Sequence, residues 1–143
     1  MGLTIRTCNL LLAAALIITP NVAAAKADDA VNQYAAARLA EIGKRDGDAL
    51  KAYIKLYRTA PDSAVLADRI YDSAIRSGDM AAAIRAVRSQ ELHGEVASEG
   101  PLLLFADAFR QKNWALAGLA VDELSTRSNL GFMAPILRSW VNV

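Results

Sequence analysis

Asp68, Asp72 and the single histidine, His93, are the side chains whose types and spacing could do chemistry. On a helix, residues four apart share a face, so the two aspartates could hold a cation or act as an acid–base pair. His93, with Glu91, Glu95 and Glu99 nearby, could ligate a metal or serve as a general base. Simpler accounts exist for all three. Arg76 lies four residues beyond Asp72, the spacing of an ordinary helical ion pair, which is the expected partnership. A lone histidine without a defined companion set is a poor metal site, and a basic side chain near a helix C-terminus is commonplace. No Ser-His-Asp order, glycine-rich phosphate loop or H-E-x-x-H is present. Ser77-Gly78-Asp79 reads as a turn followed by a helix start. The sequence therefore predicts no catalytic residue, no metal and no cofactor. An all-α enzyme built on Asp68, Asp72 and His93 is the least favoured of three functional classes.

The elements that position these residues begin after a leader. Arg6 is the only charged side chain before Lys26, Leu10–Ile18 is apolar, Thr19-Pro20 interrupts, and Ala23-Ala24-Ala25 is small. A charged start, an apolar middle and an A-x-A end form a secretory signal peptide, predicted over residues 1–25. Nine apolar residues fall well short of the roughly 20 that span a bilayer. Membrane tethering by an uncleaved leader is the alternative, and no stable span is expected once the leader is removed. Cys8 leaves with it, and Ile5-Arg6-Thr7 lacks the small apolar residues of a lipoprotein box. Residues 26–143 then carry 15 basic and 15 acidic side chains. That balance argues against nucleic acid, whose binders carry a basic excess or stripe. Without cysteine, the remainder is suited to an oxidising compartment.

Residues 26–29 form a short polar segment, with Asp28-Asp29 placed to open a helix. Beyond them apolar residues recur three and four apart and β-branched runs are missing, which predicts an all-α chain. Breakers punctuate it at Gly43 and Gly47, Pro61, Gly78, Gly94, Gly100-Pro101 and Gly131. A 34-residue shift aligns the chain with itself: Ala40, Ala74 and Ala108; Ala49, Ala83 and Ala117; Ala52, Ala86 and Ala120. Bulky columns run beside these, as with Ala37, Tyr71 and Phe105, or Tyr53, Val87 and Val121. Three units follow, 30–63, 64–97 and 98–131, with a partial fourth over 132–143. The alanines offer no bulk beyond Cβ, so two antiparallel helices can approach closely there. Neighbouring units must stack, because one helical pair cannot cover its apolar face.

This period and helix–turn–helix content resemble the tetratricopeptide repeat. Unit 64–97 matches best, through Ala74, Gly78-Asp79, Ala83 and Ile84. Unit 30–63 keeps Ala49, Tyr53 and Pro61 but has Lys44-Arg45 at the turn. Unit 98–131 keeps Phe105, Ala108, Trp114 and Ala117 but has Lys112-Asn113 there, and Asn129 in place of proline. The resemblance implies a right-handed α-solenoid of antiparallel helix pairs whose first helices line a concave peptide-binding groove. The matching positions are Tyr34, Arg38 and Glu41; Asp68, Asp72, Ile75 and Arg76; and Leu102, Ala106, Phe109 and Arg110. The Lys/Asn pattern with which chaperone-binding members clamp an acidic C-terminus is missing. More loosely, a leader followed by such repeats resembles exported bacterial proteins of this class.

Trp114 is expected in core or inter-unit packing. In the partial fourth unit, Ile136, Leu137 and Trp140 are expected to lie at an unfinished face, open to self-association or left by truncation of a longer array. The favoured function is an interaction scaffold in the cell envelope of a Gram-negative bacterium, in the periplasm, binding an unknown protein or peptide. The alternative is a truncated accessory or regulatory domain of a larger enzyme or export assembly.

Overall fold

The computed structural model describes residues 20–94 and 96–142. The charged start and apolar core of the expected leader, with Cys8, lie outside them. Among the described residues seven α-helices follow one another: α1 (Pro20–Ile42), α2 (Asp46–Tyr57), α3 (Ala64–Ser77), α4 (Met80–His93), α5 (Gly100–Arg110), α6 (Trp114–Arg127) and α7 (Ala134–Val141). One 3-10 turn, Gly131–Met133, precedes α7, and no strand occurs among the described residues. Each helix packs on its neighbours in the chain, most sparsely where α4 meets α5. Helix α1 begins at Pro20, a residue suited to the first turn because its missing N–H needs no partner there. Asp28-Asp29 consequently lie inside α1 instead of opening it.

The second helices α2, α4 and α6 begin at residues 46, 80 and 114, repeating the 34-residue period. The turns before them share one construction. The amide of Arg45 donates to the Ala40 carbonyl, Asp79 to Ala74 and Asn113 to Ala108, each at 2.9 Å. Between these partners Lys44, Gly78 and Lys112 hold φ of 55°, 78° and 56°. The outer units lack the turn glycine but keep the left-handed turn, with lysine in its place. An L-residue there costs roughly 1–2 kcal/mol, and the repeated hydrogen bond and helix packing offset it. Asp79 and Asn113 cap the following helices by accepting from the Ala82 and Leu116 amides, whereas Arg45 makes no side-chain cap.

The alanine columns lie where the helices meet. Ala49, Ala83 and Ala117 are fully buried, as are their bulky neighbours Tyr53, Val87 and Val121. Ala40, Ala74 and Ala108 are buried opposite them. The core forms two clusters, Ala37 to Val87 and Phe105 to Leu137, divided at the α4–α5 seam. Gly100 permits close approach at this seam: a Cβ there would sit 2.8 Å from Val96 and 3.0 Å from Val87. Gln90, also buried, donates to Asp68 at 2.7 Å and accepts from the Ala97 amide at 3.2 Å.

Helix α7 continues the register. Leu103 and Asp107 of α5 share a cleft with Ile84 of α4. Their counterparts one period on, Leu137 and Val141 of α7, face α6, where a Cβ at Gly118, the counterpart of Ile84, would meet Val141 at 4.0 Å. Leu137 is therefore a core residue and cannot join Ile136 and Trp140 in a self-association surface, while those two are exposed. Trp114, expected in packing, is 45% exposed and meets Phe109 edge-on.

Two outcomes test this register. Ala83→Leu overpacks a fully buried contact and should cost about 1–3 kcal/mol in urea unfolding. Lys112→Gly should stabilise by up to ~1 kcal/mol through relief of the left-handed turn, while Gly78→Ala should destabilise by about as much.

Candidate functional site

The side chains expected to line a groove on the first helices divide into three groups. The first surrounds Glu41, near the end of α1. Its carboxylate accepts from Arg38 at 2.5 Å and from the Tyr53 hydroxyl at 2.8 Å on one oxygen. On the other it accepts from Arg76 of α3 at 2.9 Å, with Arg69 at 3.6 Å. Arg76 also donates through Nε to Asp46 at 2.8 Å. The network joins α1, α2 and α3, so Arg38, Glu41 and Arg76 are engaged with one another across the first two units. The expected Asp72–Arg76 helical pair does not form. Glu41 and Asp46 draw Arg76 toward α1 and α2, where it meets two carboxylates instead of one.

Electrostatics follow from this enclosure. Burial pushes the Glu41 carboxyl up, but hydrogen bonds from Tyr53 and Arg38, with the charges of Arg38 and Arg69, outweigh it and hold it below the ordinary range. Burial and then the Glu41 hydrogen bond push Tyr53 up to about 12. Asp72 moves the other way. Partial desolvation raises its carboxyl although the residue stays exposed, and the pull of Arg76 and Arg69 does not cancel that.

The second group lines an open cavity of 690 Å³ between α3 and the α4–α5 connection. Asp68, Asp72 and Glu99 supply carboxylates, and Tyr71 and Arg127 also line it. Asp68 accepts from Gln90, while Asp72 has no ion pair or hydrogen bond among the described residues. Burial, then the Glu99 carboxylate, pushes Tyr71 up to about 12. His93 is apart from this constellation: its Nδ1 lies 2.7 Å from the Ser89 carbonyl in its own helix. Among the described residues no three His, Cys, Asp or Glu side chains gather as a metal site.

The third group is aromatic. Phe109 contacts Phe105 at 5.5 Å, Trp114 at 5.3 Å and Trp140 at 6.1 Å between ring centroids. Leu102 is packed against the same cluster. Ala106 and Arg110 border the cleft that holds Ile84, with Arg110 donating to Asp107 at 3.0 Å. Tyr34 packs edge-on against Tyr53, and Ile75 is exposed. Arg69, Asp46 and Tyr53 in the network, and Tyr71, Glu99 and Gln90 at the cavity, were not among the expected site residues. No spacing rule picks them out, because each reaches its partners across a helix–helix boundary. Ile136 and Trp140, expected at an unfinished face open to self-association, stand one full period beyond Leu102 and Ala106.

The chain matches no family model, no curated protein and no solved structure.

Because its folded carboxyl is held low, Glu41 contributes stability that is present above the ordinary carboxyl range and lost as pH falls through the lower folded value. Glu41→Gln should therefore cost about 2 kcal/mol at neutral pH, from the charged hydrogen bonds removed. Urea unfolding of both forms across a pH series should show that difference shrinking on acidification.

Proposed function

We propose that this chain is an interaction scaffold, a right-handed tetratricopeptide-like solenoid that holds a peptide or protein segment against its first helices. Residues 1–25 act as its export leader, and the periplasm of a Gram-negative bacterium is its compartment. One observation carries the reading. The common 34-residue register puts Asp72 of α3 and Ala106 of α5 at equivalent, exposed positions, and Asp72 also lines the 690 Å³ cavity. Successive first helices then offer side chains to one ligand, while the Glu41 network fixes the angle between the first two units. No described helix is long and apolar enough to cross a membrane.

A second reading has its own support. Val31, Leu39 and Ile42 of α1 are 66%, 65% and 71% exposed. Residue 39 is the counterpart of Ser73 and Asp107, which are both buried. An uncovered apolar stripe at that position suits an accessory domain packed on a larger enzyme or export assembly.

Photo-crosslinking separates the readings. The chain is expressed with its leader in a Gram-negative host, with a photoreactive side chain at Ile75 or Ala106, at Leu39, or at Lys51 or Leu92. Ile75 and Ala106 should give periplasmic adducts and Lys51 and Leu92 none. Adducts from Leu39 alone would favour the accessory domain.

A further inference from the structure

Resting on the groove reading above, we propose that the recognition face continues onto α7 and receives a partner segment that is basic at one end and apolar or aromatic at the other.

The register carries the first half. Asp68, Leu102 and Ile136 form one column, and Asp72, Ala106 and Trp140 the next. Helix α7 keeps this register, since Ala134, Leu137 and Val141 pack toward α6 just as Gly100, Leu103 and Asp107 face α4. Ile136 and Trp140 are thus held on the recognition face, 61% and 54% exposed, with Trp140 against Phe109. The positions by which a further second helix would pack, Ser139 and Asn142, are polar and exposed, and Arg138 beside them ion-pairs with Asp122. The exposed apolar bulk of α7 therefore belongs to the recognition columns and not to its stacking face.

Charge carries the second half. Asp68, Asp72 and Glu99 surround the cavity at the other end of this face. The neighbouring arginines are already committed: Arg76 to Glu41 and Asp46, Arg110 to Asp107, and Arg127 to Glu123 at 3.3 Å. Three carboxylates against one lining arginine, Arg127, leave the cavity with an excess of negative charge, which complements ammonium or guanidinium groups. Glu99 of its lining is the N-cap of α5, three residues before Leu102. A segment whose basic residues enter the cavity would lay its following apolar residues toward Phe109 and Trp140. Trp140, half-exposed on a ring cluster, has the character of a binding hot spot.

Three short fluorescent peptides test this on the intact chain: one with lysines followed by leucine and phenylalanine, one with glutamates replacing the lysines, and one with serines replacing the apolar residues. The first should bind tightest. Trp140→Ser should weaken it by about fivefold or more, as for a hot-spot residue. Asp72→Asn should weaken it in a salt-dependent manner. Ile136→Ser guards against a folding defect in Trp140→Ser, and melting curves accompany each variant. Equal binding of the glutamate peptide, no binding of any peptide, or indifference to both α7 substitutions would overturn the proposal. The groove reading would survive that if crosslinks still arise from Ile75 and Ala106. Crosslinks from Lys51 or Leu92 alone would remove the groove reading itself.

Discussion

Close contact between helices through alanine is the constraint on which the rest of this molecule depends. Ala49, Ala83 and Ala117 are fully covered, and any larger side chain would push their helices apart. Such contact leaves little room for error in the turns, because helices meeting at Cβ must leave each turn in one direction. This explains why three turns of different sequence share one hydrogen bond from the amide opening the second helix to the alanine carbonyl of the first. The left-handed residue is required by the geometry, and lysine accepts it in two of the three units.

Polar groups set the angles that the alanines leave open. Glu41 gathers two arginines of α3, one of α1 and a tyrosine of α2, so the first two units are joined by directional contacts. At the α4–α5 seam contact is sparser, and Gly100 and Gln90 take over the work of joining. Arg88 of α4 adds to it by meeting Asp107 of α5, whose carboxyl is held low by hydrogen bonds from Arg110 and Gln111 and by the Arg88 charge. The cavity bearing Asp68, Asp72 and Glu99 lies beside this seam. Where the apolar contact is thinnest, charged and amide side chains do more of the joining and a concave opening remains.

Much of the core was legible because packing repeats with the chain. The columns Ala49, Ala83, Ala117 and Tyr53, Val87, Val121 could be read by sliding the sequence against itself, and all six residues are buried. The site was less legible. Arg38, Glu41 and Arg76 stand at positions that the resemblance implies line a groove, yet they turn toward one another. Leu137 belongs to the core although its neighbours Ile136 and Trp140 are exposed. Asp72 lost its expected partner because Arg76 found two carboxylates on other helices. A long arginine has several carboxylates within reach, and local spacing registers only the one on its own helix.

The sequence by itself determined the helical class, the 34-residue register and which alanines are pressed between helices. Those follow from periodicity and side-chain volume, which are local or repeated properties. Tertiary structure alone decided where each polar side chain spends its charge: Glu41 at the hub of a network, Gln90 as a bridge, Asp72 without a partner among the described residues. It also decided that lysine would occupy a left-handed turn. Both outcomes depend on energies summed over several helices, and no single stretch of chain contains the terms of that sum.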